Sequence, residues 1–282
     1  HIEGGSLMPF HTLTDRRPPG SRVMLWGRPN TFKTTAIVET WPRPIHFISL
    51  PGEKGYETIP TAEGITSHVW AVQDLALVSP ASVLREMEEI TAQVLGRKHG
   101  PVTTLAVEGL HKVYDYAYDA ALNDLLAGDK KDQGAEVFRG PAYGLAHKAV
   151  MRYLNKVAAA NVDYLVVTCW EGDKKDDPKS RDKNAPTHKA PQLPGQLADA
   201  ITGEFGVSIR STIRRKGPQE IVGQWQILPD GQVQGCAVKV PLAIAKGLPR
   251  TMPQDFRLLQ LLLQGVPQAE AAQRYAALVG QA

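Results

Sequence analysis

The chain has little that would tie it to a membrane or to an oxidising compartment. Only two cysteines occur in 282 residues, Cys169 and Cys236, and they stand far apart in apolar segments. That spacing disfavours a disulfide and points to two buried thiols in a reducing compartment. No apolar run approaches the roughly 20 residues of a membrane-spanning helix. No secretory leader is visible. Charge of one sign is scarce too, since 32 Lys and Arg against 29 Asp and Glu leave a net +3. That balance permits a nucleic-acid partner without demanding one. The length suits one large α/β domain, or a domain with a small appendage. His1 to Leu7 read as an expression-tag remnant, with Met8 the expected native start. Residues 8–256 are expected to form the main domain and 257–282 a helical C-terminal segment.

A missing glycine is the most informative scarcity. Arg22-Val-Met-Leu-Trp-Gly-Arg-Pro-Asn-Thr-Phe-Lys-Thr-Thr35 reads as a buried strand, a tight loop and a helix start. Gly27, Lys33 and Thr34 keep the spacing of the phosphate-binding loop G-x-x-x-x-G-K-[ST], but Phe32 stands where the second glycine belongs. Such a loop wraps an anion with backbone N–H groups at a helix N-terminus. On this reading Gly27, Arg28, Pro29, Asn30, Thr31, Phe32, Lys33, Thr34 and Thr35 hold nucleotide phosphates. Lys33 neutralises phosphate charge and the Thr34 hydroxyl holds Mg²⁺. Phe32 can occupy its place only if its dihedrals are ordinary there and its ring has space.

Acids follow at the ends of later apolar runs. Ile45–Leu50 reads as a strand, and Glu53 just past it is the candidate for positioning an attacking water, with Glu57 in reserve. Val102–Val107 is another buried-strand pattern, ending in Glu108, the candidate anchor for the metal and its waters. Aspartate followed by Ser or Thr is usual there, so Glu108-Gly109 departs from the pattern. Val162–Glu171 is the strongest β run, and it offers Thr168 and Glu171 as phosphate sensors.

The basic residues gather in loops. Gly128–Gly144 carries Lys130 and Lys131, and Gly172–Pro191 carries Lys174, Lys175 and Lys189; both are expected to be mobile surface loops able to touch DNA or a neighbouring subunit. Arg214, Arg215 and Lys216 form a basic turn, a second candidate contact in trans. Glu220–Leu228 and Gln232–Val238 are expected to pair as a hairpin across Pro229-Asp230-Gly231. Helices are expected over Leu258–Leu263 and Gln268–Val279.

The order of strand, loop, Lys-Thr-Thr, strand–Glu53, strand–Glu108 and strand–Thr168 resembles a RecA-type P-loop ATPase core. With Leu193-Pro-Gly-Gln-Leu-Ala, the Trp225 segment and Pro253-Gln-Asp-Phe, residues 18–256 resemble phage-encoded RecA-like proteins of the AAA-family phage group, some of them single-strand annealing recombinases. The resemblance implies an α/β fold with a mainly parallel sheet flanked by helices. It also implies ATP, Mg²⁺, single-stranded DNA, assembly into a ring or filament, and a place in the cytoplasm of a phage's bacterial host. By position, Lys33, Glu53 and Glu108 would be catalytic, with Thr34 and Glu108 at the metal. The alternative is a nucleotide-dependent binding or assembly module with little turnover. A nucleotide kinase shares the loop but would need an arginine-rich lid that the chain does not show.

Overall fold

The computed structural model describes residues 20–53, 55–69, 78–128, 135–159, 162–175, 187–194, 197–217 and 220–280. The expected tag remnant, Lys130 and Lys131 lie outside these residues.

β1 (Arg22–Gly27) is the axis of the fold, buried along its whole length. Its side chains alternate between two cores, as a strand covered on both faces requires. Met24 and Trp26 face one core. Val23 and Leu25 face the other. β1 pairs in parallel with β5 (Tyr164–Lys175) on one side and β7 (Val207–Arg215) on the other. Beyond β5 come β4 (Thr104–Glu108), β2 (Ile45–Ser49) and β3 (Ile65–Val69), all parallel. Beyond β7 the sheet turns antiparallel through β8 (Ile221–Gln226) and β10 (Thr251–Pro253). The short β9 (Ala237–Val238) also pairs antiparallel with β7. The result is the expected α/β sheet, mainly parallel with a mixed edge.

Helices cover both faces. α2 (Pro80–Leu95), α3 (Leu110–Ala127), α4 (Ala135–Ala159) and α5 (Leu197–Glu204) supply the core around Met24 and Trp26. α1 (Lys33–Thr40), α7 (Phe256–Leu263) and α8 (Gln268–Val279) cover the opposite face, and the short α6 (Leu242–Ala245) precedes β10. Burial of one Leu or Phe side chain is worth about 1.5–3 kcal/mol. Each core therefore contributes through many such side chains, including Leu258, Leu259 and Leu262 of α7.

Three local expectations are corrected. β8 forms its hairpin with β7, and the fold does not pair 220–228 with 232–238. The reason is that Trp225, wholly buried, fits opposite Ser211 and packs edge-on against Trp41. The 229–231 turn instead closes locally through an Asp230–Val233 bridge. Second, the charged stretch after Glu171 is not all loop: β5 runs on to Lys175 and pairs with β6 (Thr187–Pro191). Third, Glu136–Gly144 lies in α4, with Pro141 inside the helix.

Candidate nucleotide site

The C-terminal ends of β1, β2, β4 and β5 converge on one cleft of about 310 Å³, lined by residues 29–35 with Glu53, Gly55, Glu108, Thr168 and Trp170. The loop after β1 forms its floor. Gly27 must be glycine, because a Cβ there would lie 2.2 Å from the Ser211 carbonyl oxygen. Ser211 Oγ donates to the Thr31 carbonyl at 2.9 Å, and Gln254 Nε2 reaches the same carbonyl at 3.0 Å. The loop is thus tethered to β7 and to the segment before α7.

Phe32 is a correction. It lies in the left-handed region at φ 58°, and the residue is 42% exposed. The backbone at this position keeps the conformation that favours glycine, at a cost of about 1–2 kcal/mol for an L side chain. The dihedrals are not ordinary, and the ring finds its space in solvent. Phe32 N-caps α1 without a side-chain bond, and the first turn holds no acid. Such an end is electropositive and open to an anion.

Lys33 is buried, with Nζ donating to the carbonyls of Gly27 at 3.1 Å and Arg28 at 2.8 Å. Burial lowers its pKa to about 8, against the opposing pull of Cys169, Glu53, Glu108 and Glu171. A desolvated ammonium among neutral carbonyls favours an incoming anion.

Glu108 ends β4 buried at 2% exposure. Thr34 Oγ1 donates to one carboxylate oxygen, and Ser49 Oγ donates to the other at 2.8 Å. Burial pushes its carboxyl pKa up, with the two hydroxyls holding it back. Hydroxyl and carboxylate oxygens together are the hard donor set that Mg²⁺ prefers. Thr34 and Glu108 therefore fit that ion. Gly55 passes so close that a Cβ would come within 2.7 Å of both.

Gly109 now has a reason. Its φ is +81°, and a Cβ would lie 2.5 Å from Glu53 Cγ. Its N–H donates to Thr168 Oγ1 at 3.1 Å, so Thr168 ties β5 to the start of α3. Glu53 reaches the cleft wall, with Oε1 3.1 Å from His111 Nε2.

Other candidates are held elsewhere. Glu171 is clamped by Arg210 at 2.8 and 3.1 Å, with Arg28 Nε at 3.4 Å. Lys174 pairs with Asp199 at 2.8 Å, and Lys189 pairs with Asp173 across the β5–β6 hairpin. Lys175 ends β5. Arg214 and Arg215 are not in a turn, as expected, but are the last two residues of β7, exposed and paired with Val222 and Ile221 of β8 because the ladder runs that far. Ser49, His111, Ser211 and Gln254 escaped the sequence reading. Only Gln254 carried a signal, the Pro253-Gln-Asp-Phe motif. In the fold Asp255 caps α7, and Phe256 stacks on Trp41 at 4.3 Å.

No protein-family model matches the chain, and no curated protein matches it. Solved structures match loosely. A prototypical ATPase from the type III secretion system of pathogenic bacteria aligns at 15% identity and a TM-score of 0.42, over 69% of this chain and 52% of its own. EscN from enteropathogenic E. coli aligns at 16% and 0.40, over 68% and 43%. The flagellar accessory protein FlaH from Methanocaldococcus jannaschii aligns at 10% and 0.38, over 75% and 79%. The chain spans about half the length of the first two. At these scores the likeness is one of general architecture and assigns no residue a role.

Proposed function

We propose that the chain binds ATP with Mg²⁺ on the 27–35 loop and hydrolyses it. The observation that carries this reading is Lys33, a buried cation bonded to loop carbonyls beside an uncapped helix N-terminus. A phosphate chain would satisfy both at once. Lys33 would neutralise the transferring phosphoryl group, and the first-turn amides would hold its neighbours. Thr34 and Glu108 would hold Mg²⁺, which would offset the negative charge of the phosphates. In the hydrolysis the water oxygen bonds to the γ-phosphorus as its bond to the β–γ bridging oxygen breaks. Glu53 takes one proton of that water, and ADP and phosphate leave.

The acted-on partner in this reading is single-stranded DNA, within a ring or filament serving phage recombination or replication in the host cytoplasm. The sequence resemblance supports this, together with exposed Arg214 and Arg215 at the end of β7. Lys174 and Lys189 support it less, being paired with acids.

The test is phosphate release from Mg·ATP by wild type and Lys33→Ala, each with and without single-stranded DNA. Lys33-dependent release that DNA accelerates is expected. Release that survives Lys33→Ala would overturn the reading. A second reading, a nucleotide-dependent assembly module with little turnover, is favoured by the left-handed Phe32. It predicts Lys33-dependent ATP binding and oligomerisation without phosphate release.

A further inference from the structure

Three polar atoms at and behind the cleft wall are sealed from solvent and lack a well-aligned hydrogen bond: Glu53 Oε1, in the wall, and both ring nitrogens of His111 behind it. Buried polar groups are nearly always paired, so such a cluster calls for a cause. His111 Nε2 and Glu53 Oε1 are only 3.1 Å apart, but misaligned. At functional sites such contacts often tighten only in the substrate complex.

The surroundings hold this pair in place. His111 lies in the first turn of α3, 3% exposed. Its ring stacks on Trp170 at 4.4 Å and 27°. Trp170 itself lines the cleft. Across the pair, Gly109 lets Glu53 lie against the helix start, where any side chain would collide with it. Gly109 and His111 confine the carboxyl, and Trp170, which pairs across β1 and β5 with Gly27 at the start of the phosphate loop, confines the His111 ring.

We infer that His111 is the positioning residue for Glu53. The ring fixes Oε1, Trp170 fixes the ring, and Oε2 is left as the atom that takes the proton of the attacking water. A carboxyl free to rotate would offer that atom only part of the time. This inference rests on the hydrolytic reading above and adds a residue to it.

The test compares His111→Phe, which keeps a ring on Trp170 but no nitrogen, with His111→Gln, which keeps a donor at the reach of Nε2. ATP affinity and kcat are measured for each, for Glu53→Gln and for the double variant Glu53→Gln/His111→Phe. His111→Phe is expected to lose about 10–100-fold in kcat, the usual scale for an orienting partner, with ATP affinity within about twofold. His111→Gln is expected to recover most of that loss. The double variant should be no slower than Glu53→Gln, because both changes remove one function. Should His111→Phe fail to fold, His111→Asn, whose amide stops short of Glu53, takes its place with the same expected loss. A wild-type rate in the variant that folds, or losses that multiply in the double variant, would overturn this inference and leave the hydrolytic reading standing. Wild type that binds ATP through Lys33 but releases no phosphate would overturn both.

Discussion

One buried cation opens β1 and another follows its far end, and the two are held differently. Arg22, 8% exposed, opens the strand. Its guanidinium donates to the carbonyls of Ala158, Ser21, Asp163 and Val162 at 2.8 to 3.3 Å. Those carbonyls come from β1's own approach, from the last turn of α4 and from the chain between α4 and β5, so Arg22 fastens the sheet to a helix. Lys33, 9% exposed, follows the other end. Its carbonyl partners all belong to its own loop, and it faces a cleft. Equal burial therefore does not mean equal role. A guanidinium spread over several carbonyls stabilises the fold, because its fork satisfies several acceptors at once. An ammonium held only by groups of its own tethered loop, next to a helix N-terminus, faces a cleft with room for an anion.

The contrast can be broken by changing one cation at a time. Lys33→Ala should weaken Mg·ATP binding by about 10³-fold, roughly 4 kcal/mol, in a fluorescent-nucleotide titration, with the thermal midpoint unchanged or higher. Lost midpoint with retained affinity would make Lys33 a structural residue. Arg22→Met should do the reverse. Several buried carbonyls would lose their donors, costing about 3 kcal/mol in denaturant unfolding, with nucleotide affinity within a few-fold.

The pH dependence sharpens the same contrast. Lys33 has its folded pKa lowered to about 8 from 10.5, so between those values the unfolded chain binds more protons. The penalty for burying its charge is fully present below pH 8 and is relieved as pH rises toward 10.5. The ligand-free protein should therefore gain roughly 1–3 kcal/mol over that window relative to Lys33→Met, whose curve lacks this contribution. Parallel curves for the two proteins would contradict the burial of a charged Lys33. The smallest expected effect belongs to Phe32. Phe32→Gly should relieve the left-handed backbone and raise stability by at most about 1 kcal/mol, since glycine also adds freedom to the unfolded chain. Single-turnover hydrolysis by the same variant reports whether the exposed ring restrains turnover.

Local pattern and long-range placement were legible to different degrees. β1, α1 and the strand ending in Glu108 could be read because their signals lie within a dozen residues: an apolar run, a turn and a change of period. The partners of the site could not. Ser211 and Gln254 reach Thr31 from 180 and 223 positions away. His111 looked like any polar residue in a first helical turn until β5 brought Trp170 against it. In the 220–238 region the local turn signal at Pro229-Asp230-Gly231 suggests a hairpin that the fold does not make. Burial of Trp225 and pairing with β7 outweighed it.

By itself, then, the sequence determined the alternation that sends β1 into two cores, the loop length between Gly27 and Lys33, and the acid at the end of β4. These are matters of period and spacing, which a chain carries locally. Tertiary structure decided which cation would be a fastening and which would face the cleft, and why position 109 is glycine. It also set the strained backbone at Phe32. Burial, alignment and close approach depend on segments far apart in the chain, and they exist only once the sheet has brought those segments together.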